Sequence, residues 1–325
     1  MTSRRSALQS IAAGALALTA GRVFADDDKS MITVLVGAAS TMDTTARLVG
    51  EQLRDALGRP TVVLSKLGAG GRVALADLKH AAPDGRTLMF STSSPFAIYP
   101  QIYTRLDYDP VADFTPIAGL CWFDVGIATG PATGTTDIHQ LIEWVRAKGA
   151  AGSVYGAAPG AGSSSHFVGI ATALATGVQM SPVQYKDSGV GIIDLASGRL
   201  PIMITGTGAL IEMHKAGKIR MLAVSGAQRS PLVPEVPTLK ESGIEVVIQN
   251  SAGLYGPARL PQALVDRYRE AMMPMLDKPE VREKMVTGAM IPAPLTGPQL
   301  AASLASERQR FQQLVKASGY VPEAL

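Results

Sequence analysis

The chain has 325 residues, 46% of them hydrophobic and 18% charged, with a formal net charge of +3. This is globular composition with length enough for two cores, and it argues against disorder. Residues 1–25 hold three arginines and no acid, so the remainder balances at 27 basic against 27 acidic residues; with no dense Lys/Arg run among aromatics, it does not suit nucleic acid.

Arg4 and Arg5, the apolar run Ala7–Ala20 and the small residues of Val23-Phe24-Ala25 read as an export signal cleaved after about Ala25. Ser3-Arg4-Arg5 resembles a twin-arginine signal, and an ordinary Sec signal is the alternative. The apolar run is shorter than the ~20 residues a membrane span needs. A single cysteine, Cys121, rules out an internal disulfide and a Cys-based zinc site, and its apolar surroundings predict a buried structural thiol.

The run Ile32–Val36, the loop Gly37–Asp43 and a helix with Ala46, Val49, Leu53 and Leu57 at helical spacing make a strand–loop–helix unit. Asp43 has two readings, helix N-cap or contact for a cationic ligand group. Thr61–Leu64, the glycine loop Gly68–Gly71, a helix near Val73–Ala81 and a strand Leu88–Ser91 follow. Alternating strands and helices predict a largely parallel sheet covered on both faces, with ligands at the carboxyl ends of its strands. Ser93 and Ser94 then stand at the same edge as Ala39, Ser40 and Thr41.

Residues 130–136 are small and turn-prone, and they read as a crossing into a second lobe. A helix at Asp137–Lys148, a strand Ser153–Gly156, the loop Ala157–Ser163 and a helix Ser164–Thr176 repeat the opening layout. Strands at Pro182–Tyr185, Pro201–Ile204 and Met221–Val224 lead into the loops Lys186–Gly191, Thr205–Gly208 and Ser225–Ser230. Val246–Gly256 reads as the return crossing, before helices at Pro261–Leu276, Pro279–Thr287 and Gly297–Ser318. The expected fold class is α/β: two lobes, 26–128 and 129–248, with 249–325 returning to the first, and a ligand cleft between them.

The glycine loops lack a full dinucleotide fingerprint and the Lys-Ser/Thr of a P-loop, so tight turns are the better reading of Gly68–Gly71. Ser163, Ser164, Ser165 and His166 invite a hydrolase reading, but triad partners meet through the fold and the chain has no GxSxG elbow. His166 is weighed as a ligand contact or a structural residue, whereas His80, His139 and His214 are expected to be solvated. Lys186 could offset a ligand's negative charge, and Asp187 shares the ambiguity of Asp43. Hydroxyls and N–H donors without paired carboxylates, a Cys nucleophile or a metal cluster describe a site that holds rather than converts; no cofactor or metal is expected.

Gly68-Ala69-Gly70-Gly71, Ala82–Leu88, Leu106–Phe114 (LDYDPVADF), Tyr155–His166, Val183–Lys186, Ala216–Val224 and Arg229–Thr238 (RSPLVPEVPT) closely resemble the Bug-type solute-binding proteins of tripartite tricarboxylate transporters. The resemblance spans the mature chain in family order. It implies a periplasmic, non-enzymatic, monomeric protein of the type II periplasmic-binding fold that takes a small carboxylate, or an amino acid, to membrane transporter subunits. A sensor that presents the same ligand to a signalling receptor is the alternative, with a hydrolase on the same fold behind it. One departure is Ala38-Ala39-Ser40 where the family has Pro-Gly-Gly, which restricts the backbone at the first loop. Another is Lys186-Asp187-Ser188 in place of Lys-Gly-Ser, which makes a positively charged ligand group more plausible. The expected ligand-binding residues are Ala39, Ser40, Thr41, Asp43, Ser93 and Ser94 in the first lobe, and Gly160, Gly162, Ser163, Ser164, His166, Lys186, Asp187, Ser188 and Thr207 in the second.

Overall fold

The structure is a computed structural model that describes residues 29–38 and 41–324. The export signal read in residues 1–25 lies outside the described residues, as do Ala39 and Ser40.

The mostly β-branched run Ile32–Val36 forms β1, and all but Thr33 of it is buried. A strand covered on both faces belongs inside a sheet. β1 pairs in parallel with β2 (Thr61–Ser65) and β3 (Thr87–Thr92). Helix α1 (Thr41–Leu57) buries Ala46, Val49 and Leu53, the stripe that the spacing picked out. Helix α2 (Arg72–Lys79) buries Ala74, Leu75 and Leu78. Two one-turn helices, α3 (Ser94–Ala97) and α4 (Tyr99–Ile102), follow β3.

The two apolar runs that flank Asp124 are one strand, β4 (Phe114–Thr129), 16 residues long. As far as Asp124 it pairs antiparallel with β9 (Gln249–Pro257), which also pairs with β3. From Val125 onward it pairs with β7 (Ile202–Gly206), and from Gly126 with β8 (Arg220–Val224). β5 (Val154–Ala157) lies parallel to β7 and to β6 (Ser181–Gln184), giving the order β2-β1-β3-β9-β4-β7-β5-β6. The same chain thus serves two sheets, and β4 is where they meet.

Helices α5 (Ile138–Gly152), α6 (Ser164–Thr176), α7 (Ser188–Ala196) and α8 (Thr207–Lys215) cover the second sheet. Helices α9 (Gln262–Met272) and α10 (Pro279–Thr287) pack on the first sheet, in one core with β1 and α1. The helix expected over Pro261–Leu276 stops at Met272, because Pro274 turns the chain into a 3₁₀ segment. Strand β10 (Ile291–Thr296) escapes the sequence reading. Its Pro292 and Pro294 demote it, and they are tolerated because it lies at the sheet edge against β4, with a register break at Pro292/Leu295.

The last helix, α11 (Gly297–Ser318), starts with a capping box between Thr296 and Gln299. Its first half packs Leu300 and Leu304 under the first sheet, whereas Phe311 and Val315 join the core around α5 and α6. Ala97, Ile98 and Ile102 join that second core too. Cys121 is buried, and burial pushes its thiol up to about 12, so it is inert as the sequence suggested.

Candidate functional site

The register of β4 places the site. Val125 faces Gly206, the last residue of β7, so Asp124 stands at the carboxyl end of that strand. Asp124 also faces Gln249, where β9 begins, and β9 runs antiparallel to β3, which ends at Thr92 opposite Ala252. The carboxyl edges of both sheets therefore meet at this crossing, where ligands of open α/β sheets bind.

Close contacts bridge the two halves. A Cβ built on Gly208, at the start of α8, would lie 2.7 Å from Ala289 Cβ on the turn before β10, and one on neighbouring Gly288 would lie 3.2 Å from Thr41 Cγ2. Thr41 and Thr207 thus flank one turn. On the other side the loop between β5 and α6 rests on α4. Gly162 has φ +72°, a conformation that favours glycine, and it lies against the terminal methyl of Ile102.

The proposed ligand residues divide into those that build the frame and those that face the crossing. Asp43 is the third residue of α1 rather than its cap, and its carboxylate is bonded to Ser65 and to Arg47, 2.8 Å away. Those two partners hold its pKa below the usual carboxylate range, Ser65 most strongly. Ser93 is buried, with its N–H donating to the Ser251 carbonyl at 2.8 Å and its Oγ 3.4 Å from the Ser251 N–H. Ser94 opens α3 beside it.

In the second half, Ser163 caps α6 by accepting from the His166 N–H and donates to the Gly160 carbonyl at 2.8 Å. His166 is buried, and its Nδ1 accepts the Gly162 N–H at 3.2 Å, which in a neutral ring leaves the proton on Nε2. Burial lowers its pKa, with Glu323 pulling the other way. The ring therefore braces the loop, and its acceptor nitrogen is committed, which is not the arrangement of a general base. Ser164, the first residue of α6, is 8% exposed at the same loop.

Asp187 is the N-cap of α7 and accepts the Gly189 N–H at 2.7 Å, so it serves the helix. Ser188 shares a 2.7 Å hydrogen bond with Thr205, and Lys186 is exposed. Loop segments expected at Lys186–Gly191 and Thr205–Gly208 are in part the first turns of α7 and α8. The glycine turn Gly68–Gly71 is structural. Tyr99 donates to the Gly70 carbonyl at 2.9 Å, and Gly71 backs onto Gly37. His214 is not merely solvated, since its Nδ1 accepts the Met221 N–H at 3.3 Å and ties α8 to β8.

Three buried polar residues at the crossing were not singled out from the sequence. Asp124, Asn250 and Glu307 each have a buried side-chain atom without a hydrogen-bond partner, as does Thr207. Burial raises the carboxyls of Asp124 and Glu307 above the usual range. The available signal for Asp124 was that it is the only charged residue in the stretch Phe114–Thr129. Among the described residues no group of His, Cys, Asp and Glu could hold a metal, and no helix is long and apolar enough to cross a membrane.

This geometry has close relatives. The chain is 28% identical over 291 residues to a UPF0065 protein of Bordetella bronchiseptica, covering 90% of this chain and 86% of that one. The solved periplasmic binding protein BugD superposes with a TM-score of 0.78 at 25% identity, covering 91% of this chain and 99% of that one. MatC from Rhodopseudomonas palustris, solved with bound malate, gives 0.76 at 26% identity, covering 89% and 99%. Residues 45–320 match the profile of the tripartite tricarboxylate transporter family receptor. With that match over most of its length, the chain belongs to the tripartite tricarboxylate transporter receptor family, a family of solute-binding proteins, and has its two-lobed periplasmic-binding fold.

Proposed function

We propose that this protein is an extracytoplasmic receptor that captures a small carboxylate-bearing metabolite, a carboxylic acid or an amino acid, and presents it to the membrane subunits of a tripartite tricarboxylate-type transporter. The observation that carries the reading is the convergence of helix N-termini at the crossing of β4. Helices α1, α6 and α8 each begin at the carboxyl end of a strand, with Thr41, Ser164 and Thr207 as their first residues. Unpaired N–H groups and the helix dipole favour an anion at such ends. In this reading the lobes 26–128 and 129–248 close about β4 and β9, with 249–325 returning to the first lobe. The mature protein begins after about Ala25 and acts in the periplasm as a monomer. The malate bound to MatC is consistent with this ligand class.

The test is thermal unfolding of residues 26–325 against mono-, di- and tricarboxylates, amino acids and uncharged amides. A ligand at a hundred times its dissociation constant adds about 2.7 kcal/mol to the folded state, enough to move the midpoint by about 4 °C in a chain of this size. Ser164→Phe should abolish that shift while the unliganded midpoint stays within a few degrees. A panel in which no carboxylate-bearing compound moves the midpoint refutes the reading.

A further inference from the structure

Among the described residues, the Thr207 side chain and the Asp124 backbone N–H are the groups that favour the charged form of the Asp124 carboxylate. It sits in β4 at the point where the strand changes partners, 3% exposed, and its Oδ2 is buried without a hydrogen-bond partner. The Thr207 Oγ1 is buried and unpartnered as well. It lies near enough to pull the Asp124 carboxyl down against the larger effect of burial, yet outside hydrogen-bond geometry with it. No cationic side chain figures among the groups that act on this carboxyl. A carboxylate oxygen and a hydroxyl that can accept as well as donate thus keep unpartnered atoms at one place, with no partner among the described residues.

Two glycines flank the acid, one backed by the Leu210 and Met221 side chains and the other by the Gln228 carbonyl. A Cβ on Gly226, in the loop after β8, would lie 3.3 Å from Asp124 Oδ2, and one on Gly126 would lie 3.7 Å from Thr207 Oγ1. Gly126 is two residues on from Asp124, so both face the same side of β4. An unpaired buried carboxylate is costly to the folded state, whereas an apolar residue in a strand this buried would not be. The charge makes physical sense when its partner arrives with the ligand. An ammonium has three donors and no acceptor, which matches a carboxylate and a hydroxyl able to accept, and charge-assisted hydrogen bonds are the strong ones.

We propose that Asp124, with Thr207, forms a subsite for the cationic group of the ligand, so that the captured solute is an amino carboxylate and not a plain di- or tricarboxylate. This deepens the solute-binding reading and rests on it: the ligand's carboxylate lies at the N-termini of α1 and α6, and its ammonium lies beside the Asp124 carboxylate and the Thr207 side chain. The acid that the sequence placed beside the cleft, Asp187, is occupied in capping α7, and Asp124 takes the role that a cationic ligand requires.

The experiment is calorimetric titration of residues 26–325 with matched pairs differing only in the amino group: succinate and aspartate, glutarate and glutamate, adipate and 2-aminoadipate. For at least one pair the wild-type protein should bind the amino member at least ~10-fold more tightly, about 1.4 kcal/mol. Asp124→Asn should lose that preference by weakening the amino member and leaving the other unchanged or tighter; Thr207→Val should weaken the amino member in the same direction. Binding of the plain acids equal to or tighter than their amino partners in the wild type overturns the subsite while leaving the carboxylate reading intact, and needs no variant to fold. A preference that survives in Asp124→Asn overturns it too. If no carboxylate binds, the solute-binding reading fails and this inference falls with it.

Discussion

Glu307 shows how a single buried residue sets the pH response. It lies on α11, 4% exposed, facing Ser251, and its Oε2 has no partner. Burial is the largest influence on its pKa and raises it, with Ser93, Arg310, Ser251 and Ser303 pulling the other way. The folded state therefore favours the protonated carboxyl more than the unfolded state does. The stability this gives is complete below the unfolded value of 4.5 and is lost as pH rises through the higher folded value. Glu307→Gln removes the charge and keeps the shape. It is expected to be more stable than the wild type at pH 7 by about 1–3 kcal/mol, the order of a buried group left unsatisfied. The difference should shrink as pH falls toward 4.5, and urea unfolding at a series of pH values measures it. Equal stabilities at pH 7 would mean that Glu307 is fully solvated by neighbours or water. None of this is visible in the sequence, where Ser-Glu-Arg-Gln-Arg reads as an ordinary polar helix surface. What buries Glu307 is that α11 packs on both cores at once.

At the scale of elements, helical spacing was the most legible feature. The stripe Ala46, Val49 and Leu53 located α1 because a helix carries its own period, whereas the cap expected at Asp43 falls inside the first turn. Strand β10 was not legible, since its prolines speak against a strand unless the neighbouring edge is known. The loops are intermediate cases. Gly37 sits against Gly71 so closely that a Cβ would lie 2.5 Å from Gly71 Cα, backbone that cannot move aside as a flexible side chain would. Gly37→Ala is thus expected to destabilise the protein by about 1–3 kcal/mol, the range for forcing volume into a packed site. It should also weaken ligand binding, because Gly37 leads into the first turn of α1. Guanidinium unfolding and ligand titration together check this; a variant as stable as the wild type would mean that the two glycine loops are not packed against each other.

For the whole molecule, the proposed closure of the lobes depends on what lies between the two sheets. The contact of Gly208 with Ala289 joins α8 of the second sheet to the turn before β10 of the first. A bulky side chain there is a wedge between the halves and leaves the cores untouched. Gly208→Leu is expected to hold the cleft open, leaving the unliganded thermal midpoint within a few degrees and reducing ligand affinity by at least ~10-fold, about 1.4 kcal/mol. Small-angle scattering with saturating ligand should show a decrease in radius of gyration for the wild type and none for the variant. An equal decrease in both would place the closure contact elsewhere.

The sequence by itself determined the elements whose information is local: the alternation of strand and helix, the small-residue loops at strand ends, the buried lone cysteine and the family pattern. It also named Thr41, Ser164 and Thr207, which are the first residues of α1, α6 and α8. Only the tertiary structure decided which polar groups are spent on the frame and which are left over. Asp43, Ser163, His166 and Asp187 are bonded to groups on neighbouring turns and strands, whereas Asp124 and Thr207 keep unpartnered atoms where β4 passes between the sheets. The physical reason is that hydrogen-bond satisfaction is a property of surroundings: a residue's type fixes what it can donate or accept, and only packing fixes what is there to meet it.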